Sequence, residues 1–343
     1  MHMSDALVSV AVGTTMAAVS TGVIGYSVKK IKNTDLSDNK IPMMGVMGAF
    51  IFAAQMINFT IPVTGSSGHI GGGILLAALL GPFPAFITLA SVLIIQCLFF
   101  ADGGLLALGC NIFNMGFFSC MIAYPLIYRT ILKKAITPKR ITIASILATV
   151  VSLQLGALAV VIETTASGVT DLPFTSFLVL MQPIHLAIGI VEGIITGAVL
   201  CFIYRVRKEI LMNALENDNK MRVPMKKVLT FFVLATVFVG GFLSLYASSN
   251  PDGLEWSIQG VVGTSELKNS SDAHVAAQEL QDKTAILPGY SFQGEQQEKP
   301  IGSSVSGMLG GALTLTVTIV AGFVIMSYKK QKLKKEVLKK ACE

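Results

Sequence analysis

The sequence predicts an all-α polytopic membrane protein, a bundle of seven spans followed by a two-span hairpin. Three observations predict it. Of the 343 residues, 52% are hydrophobic and 13% charged, about half the charged share of an ordinary soluble domain, which is about 25%. The apolar residues gather into nine stretches, most of them near the ~20 residues needed to cross ~30 Å of hydrocarbon. All 26 Lys and Arg lie outside those stretches. This composition excludes a soluble enzyme, a disordered chain and a nucleic-acid binder, although a net charge of +6 taken alone would suit nucleic acid.

The first stretch, 6–28, carries Ala11, Thr15, Ala18 and Gly22 at helical spacing, a stripe that lets another helix approach closely. In the second, 41–60, Met43, Met44, Met47 and Met56 are expected to pack or face lipid, since thioethers suit Cu(I) more than Ni(II). The third, 70–80, reaches only ~17 Å as helix at ~1.5 Å per residue. The break Gly81-Pro82-Phe83-Pro84 nevertheless ends it, and a helix this short is tolerated only when protein surrounds it. Stretches 84–100, 104–128, 141–162 and 184–204 complete a domain over 1–205. Pro183 is expected to start the last of these.

A polar linker, 206–227, then leads to a hairpin over 228–327, whose spans are 228–247 and 304–327. The hairpin encloses loop 248–303, rich in Ser, Gln, Glu and Gly and expected to be lightly folded, and a basic tail, 328–343, ends the chain. If nine crossings alternate, 23 of the cationic side chains share one side, which the positive-inside rule makes the cytoplasm. Lys268, Lys283 and Lys299 share the long loop, and long loops are exempt from the rule. The N-terminus is thus expected outside and the C-terminus inside a multi-pass cell membrane protein. No cleaved leader is expected, because the start lacks a basic region and an A-x-A-like site. Five scattered cysteines form no C-x-x-C pair, so neither a disulfide framework nor a zinc cluster is implied.

Ionisable groups within spans are functional candidates, and few exist here. No H-E-x-x-H, P-loop or G-x-S-x-G occurs. His2 is the sharpest feature. A histidine after a free amino terminus offers three nitrogens in a row: the α-amine of Met1, the amide of His2, and imidazole Nδ1. They close two unstrained chelate rings and make a planar N₃ set wanting one more nitrogen, a geometry suited to Ni(II) or Cu(II). All three must lose protons, so affinity should rise with pH.

His69 lies on the same side in Thr64-Gly65-Ser66-Ser67-Gly68-His69-Ile70-Gly71-Gly72-Gly73, where five glycines in nine residues permit close backbone approach. The N-terminal segment is the expected guest, and a four-nitrogen site is the result. His185 and Glu192, seven residues apart, share one helix face, with Glu192 ~10 Å deeper. Glu192 is read as the sole acidic residue well inside a span, and His274 as a solvated loop residue. Asn111 and Asn114 suit interhelical bonding or a supporting role around a ligand.

These residues resemble the CbiM/NikM family, the substrate-binding components of energy-coupling-factor (ECF) importers for cobalt and nickel. The resemblance covers about 1–205 and is carried by Met1-His2-Met3, by Gly65-Ser66-Ser67-Gly68-His69 with its following glycines, and by Ala101-Asp102-Gly103-Gly104-Leu105. Gly109-Cys110-Asn111-Ile112-Phe113-Asn114-Met115 and His185 with Glu192-Gly193 extend it. Pro251-Asp252-Gly253-Leu254-Glu255 resembles the PDGLE segment of the small N-type component, so 228–327 is similar to a fused N subunit. Many members begin Met-His-Ile where this chain has Met3, a position that supplies no ligand in the proposed chelate.

The resemblance implies metal ligation by the Met1 amine, the amide and imidazole of His2, and the His69 imidazole. Ser67, Asn111, Asn114, His185 and Glu192 are the candidates for a supporting shell. It further implies a T-type transmembrane coupling subunit and cytoplasmic ABC ATPase subunits as partners. The chain itself is then no enzyme and has no catalytic cofactor. Its cargo is Co²⁺ or Ni²⁺, destined for cobalamin synthesis or nickel enzymes, and its surroundings are membrane lipid with no nucleic acid. The alternative, an ion-coupled secondary metal transporter, wants several midplane carboxylates and inverted repeats; the sequence offers one carboxylate and no repeat. A third reading, an intramembrane metalloenzyme, would use His69, His185 and Glu192 around a metal with an open position. The loop 248–303 is expected to serve transport rather than the metal site.

Overall fold

A computed structural model describes residues 2–33, 40–216, 226–265, 267, 271–292 and 301–342. Met1 and residues 217–225 of the expected linker lie outside the described residues. After a single 3₁₀ turn at Asp5–Leu7, the chain forms α1 (Val10–Asn33) and α2 (Lys40–Gln55). A small antiparallel hairpin follows, β1 (Phe59–Ile61) with β2 (Ser66–Gly68). Then come α3 (Gly73–Leu80), α4 (Pro82–Phe100), α5 (Leu108–Lys134), α6 (Pro138–Ser167) and α7 (Phe174–Glu216). The C-terminal part holds α8 (Lys226–Gly241), α9 (Gly253–Val262), α10 (Asp272–Thr284) and α11 (Ile301–Cys342).

Among the described residues, seven helices are long and apolar enough to cross a membrane, and α2 is a shorter apolar helix of 16 residues. The short α3 is fully enclosed, with every residue from Gly73 to Leu80 buried. That enclosure lets an 8-residue helix sit at membrane depth without exposing its ends to hydrocarbon. Outward-facing apolar side chains such as Leu234, Val237, Phe323 and Val324 mark the lipid side of α8 and α11.

Several expectations are corrected. The second apolar stretch leaves helix at Gln55, and its last residues turn into β1. Pro183 does not start a helix. It lies inside α7, which begins nine residues earlier at Phe174. The helix continues past the membrane segment with a kink at Arg207 (φ −153°, ψ 75°), and its end tucks under α5, where Tyr124 Oη and Arg129 Nε donate to the carbonyls of Ala214 and Leu215. The helix α6 runs to Ser167, where Gly168 caps it in the left-handed conformation. Glu163 is therefore a second buried intramembrane carboxylate, at 7% exposure.

The loop 248–303 is not lightly folded. It holds α9 and α10, and α9 starts with a capping box in which Asp252 accepts from the amides of Leu254 and Glu255 while Glu255 accepts from the amide of Asp252. The stripe Ala11, Thr15, Ala18 and Gly22 is exposed, whereas α1 meets α5 through Ala17 and Ser20 and the turn before it, at Leu106, through Gly13. The Ser20 hydroxyl donates to the carbonyl of Gly109 at 2.7 Å.

The pairing of α6 with α7 sets the depth of the site. Gly189, Gly193 and Gly197 recur every four residues and face Val150, Ile146 and Thr142. A Cβ at Gly193 would lie 2.5 Å from the Ile146 Cα, so only glycine allows this backbone approach. Since these glycines face α6, His185, Ile188 and Glu192 are turned toward the centre of the bundle.

Candidate metal centre

The N-terminal segment is threaded into the bundle and held by its backbone. Asn111 Oδ1 accepts from the Met3 amide at 2.7 Å, and Asn111 Nδ2 donates to the Met3 carbonyl at 3.1 Å. The Gly104 amide donates to the same carbonyl at 2.9 Å. Two residues on, Asp5 accepts from the Ala107 amide at 3.0 Å. Met3 is fully buried.

This clamp sets the His2 ring against the His69 ring, with centroids 5.0 Å apart and planes 11° from parallel. Asp102 lies beside His2, with its Oδ1 3.3 Å from Nδ1, while its Oδ2 accepts from the Tyr290 hydroxyl at 2.5 Å. Burial pushes the His2 imidazole below its ordinary value against the pull of Asp102. Burial also pushes His69 well below its ordinary value, and the His2 imidazole adds to the effect. Both shifts favour the neutral imidazole, the form that can offer a lone pair to a cation. His69 Nδ1 faces the Ile70 carbonyl at 3.4 Å, which directs the lone pair of the neutral ring to Nε2.

The loop carrying His69 is pinned on three sides. The Gly72 amide donates to Glu192 Oε1 at 2.8 Å, and Gln55 Nε2 donates to the Gly71 carbonyl at 3.0 Å. Gly68 lies so close to α7 that a Cβ there would be 2.6 Å from Ile188 Cγ1. On the third side, β2 receives the C-terminal part of the chain. The Ser67 amide and hydroxyl donate to the carbonyls of Pro251 and Asn250 at 2.8 and 2.7 Å, and Trp256 Nε1 donates to the Thr64 carbonyl at 2.9 Å. Ser67 therefore docks the Pro251-Asp252 turn.

His274 is buried, not solvated. Its Nε2 lies 2.9 Å from the Val8 carbonyl and its Nδ1 2.5 Å from the Ser271 hydroxyl. Gln281 on the same helix donates to the carbonyls of Cys97 and Gly103. The C-terminal part thus grips the N-terminal segment from α10 and the His69 loop from α9.

Two cavities adjoin the paired imidazoles. The outer one, about 520 Å³, is lined by His2, His69 and three carboxylates, Asp102, Asp252 and Glu255, with Tyr290 among its other walls. Burial and the charge of Asp252 raise the Glu255 carboxyl above its ordinary value. The inner cavity is small, about 30 Å³, and is lined by His69, Asp252, Asn114, His185 and Glu192. Asp102, Asp252 and Tyr290 line these cavities and Glu163 bonds Asn114; the sequence reading named none of them as candidates. Among the described residues, no group of three His, Cys, Asp or Glu side chains is gathered closely enough to hold a metal without other donors.

Residues 2–210 match the CbiM family, described as the cobalt uptake substrate-specific transmembrane region. The chain belongs to the CbiM family. Residues 226–327 match the PDGLE domain, so this CbiM-family chain carries both parts in one polypeptide. Over 96% of its length and 99% of the relative's, it is 29% identical to a protein of Archaeoglobus fulgidus described as a fused nickel transport protein, NikMN. Over 62% of its length and 92% of the relative's, it is 27% identical to a protein of Methanocorpusculum labreanum described as a cobalt transport protein, CbiM 1. A crystal structure of a transition metal transporter superposes with a TM-score of 0.54 at 31% identity, covering 65% of this chain and all of that one. The CbiM-family chain is a cobalt/nickel transport component with seven candidate spans.

Proposed function

We propose that this chain is the substrate-specific component of an ECF-type importer. It takes Co²⁺ or Ni²⁺ from the extracytoplasmic side through a planar set of nitrogens: the amine of residue 1, the amide and imidazole of His2, and the imidazole of His69. The observation that carries this reading is the buried, stacked pairing of the His2 and His69 rings, with burial favouring the neutral form of both. The acidic outer cavity supports it, since a cleft lined by carboxylates concentrates a divalent cation before capture.

The side assignment follows from the lysine-rich and arginine-rich segments after α5 and α7, which mark the cytoplasmic face. In this reading the N-terminal segment lies outside and the C-terminus inside the cell membrane. In this reading a T-type coupling subunit and cytoplasmic ABC ATPase subunits supply the energy, and the chain itself catalyses nothing. Residues 1–205 then form the metal-binding domain, and 228–327 form an N-type hairpin that closes over it.

The test is metal content and absorption spectrum of the detergent-purified chain with its native start, compared with one carrying two extra residues before Met1. One Ni²⁺ or Co²⁺ in a planar-nitrogen spectrum for the native chain, and none for the extended one, is the expected result. Equal binding by both removes the amine from the ligand set and overturns the chelate.

A further inference from the structure

The polar side chains around the inner cavity are arranged as lone-pair donors. His185 Nδ1 lies 2.8 Å from the Met181 carbonyl, so the neutral ring carries its proton there and Nε2 offers a lone pair. The Gly72 amide occupies Glu192 Oε1, leaving Oε2. Asn114 directs its NH₂ to Glu163 Oε2 at 2.7 Å, leaving Oδ1 as an acceptor. His185 Nε2, Glu192 Oε2 and Asn114 Oδ1 are buried and have no hydrogen-bond partner among the described residues. The three side chains are 1%, 2% and 2% exposed.

Three acceptors on one cavity have an unusual requirement. A buried acceptor left unsatisfied costs about 1–3 kcal/mol. Water can donate to these acceptors, but it leaves the carboxylate charge uncompensated. A cation carrying water ligands meets all three lone pairs and supplies that charge. The room of about 30 Å³ compares with the ~10–15 Å³ that one water needs, so it suits an ion with one or two retained waters. His69 and Asp252 line this cavity as well as the outer one, which makes it the next space inward from the paired imidazoles.

We propose that this cavity is an inner station for the transported divalent cation, which His185 Nε2, Glu192 Oε2 and Asn114 Oδ1 receive from the outer nitrogens. The inference rests on the reading of His2 and His69 as the outer site and extends it by a second site. A mixed nitrogen and oxygen set holds late transition ions less tightly than an all-nitrogen plane, and a station on a transit route must also let its ion leave. Glu163 is a positioning residue here, since it orients the Asn114 amide.

The experiment titrates the full chain in lipid nanodiscs with Co²⁺ alone, reading stoichiometry and the cobalt absorption spectrum. Two phases are expected, a tight one with a planar-nitrogen spectrum and a weaker one with a six-coordinate nitrogen/oxygen spectrum. Glu192→Gln keeps the Gly72 contact but presents a donor to the cavity. It should weaken the second phase at least tenfold while the tight phase persists. His185→Gln should do the same and serves as the second variant if Glu192→Gln does not fold. A single phase in the wild-type chain, or a second phase indifferent to both substitutions, overturns the inner station. His2→Ala separates the two readings: loss of the tight phase with the weaker one retained supports both, and retention of the tight phase sinks the outer chelate.

Discussion

A single side chain, Asn111, holds both backbone groups of Met3, accepting from its amide and donating to its carbonyl. This pairing mimics one rung of a β-ladder and fixes the register of the N-terminal segment, so that residue 2 lies against His69.

Asn111→Ala removes both bonds and leaves two backbone groups of Met3 short of a partner in a buried site. The cost is about 1–3 kcal/mol for each group left unsatisfied, with the Gly104 amide still covering part of the carbonyl. The expected outcome is metal affinity reduced at least tenfold in an equilibrium titration, with the helical circular-dichroism signal retained. Wild-type affinity would show that register is set elsewhere.

His2→Ala and His69→Ala should each abolish tight Ni²⁺ or Co²⁺ binding, measured by metal analysis after desalting. Wild-type affinity in either variant removes that residue from the ligand set.

Apparent affinity should rise with pH. Burial lowers both imidazoles, so they release fewer protons on binding than ordinary imidazoles would. The remaining release comes from the amine, whose ordinary value is about 7.7–8.0, and from the amide. Between pH 6.5 and 7.5 the affinity is expected to increase about tenfold for each proton released per unit. The same lowered values bear on stability: histidines that resist protonation when folded destabilise the metal-free fold as pH falls below about 6.5, the unfolded value. Metal-free melting temperatures at pH 7.5 and 5.5 check the sign, and an unchanged or higher value at pH 5.5 contradicts it.

Gly68→Ala places a methyl group 2.6 Å from Ile188 Cγ1. Overpacking of this kind costs about 1–3 kcal/mol, and here it also shifts the residue next to His69. Ile188→Ala should restore much of the metal affinity lost in Gly68→Ala. Independent, additive losses in the double variant would place the clash elsewhere.

Asp252→Ala removes the cap of α9, at a cost of about 0.5–2 kcal/mol. Asp252→Asn keeps a capping side chain and removes the charge. The alanine variant should raise protease sensitivity in the 250–262 region, whereas the asparagine variant should mainly slow metal association at low salt. Equal proteolysis of the two variants would show that the charge, and not the cap, holds the segment.

The spans were legible because hydrocarbon imposes length and apolarity directly on sequence, and His2, His69, Asn111 and Asn114 stood out as rare polar groups in that setting. Glu163 was missed because α6 was ended at residue 162; the Ser167-Gly168 pair was the available stop signal. Pro183 misled because a proline inside a long membrane helix is tolerated when neighbours satisfy the freed carbonyl. Asp102, Asp252 and Tyr290 looked like loop residues; the threaded N-terminal segment brings His2 to Asp102, and docking of the C-terminal part brings Asp252 and Tyr290 to the same cavity. Such long-range pairing leaves no local periodicity to read. The capping box Asp252–Glu255 was a local helix signal, and it was present in the sequence.

The bond between His274 and the Val8 carbonyl joins residues 266 positions apart. At synthesis rates of about 5–20 residues per second, the clamp on the N-terminal segment is completed roughly 13–53 s after that segment is made. Until then His2 is tethered only by its own half of the molecule. The order of manufacture therefore delays completion of the enclosure until nearly the whole chain exists, and an ion that arrives early meets an unfinished enclosure from which it can still escape.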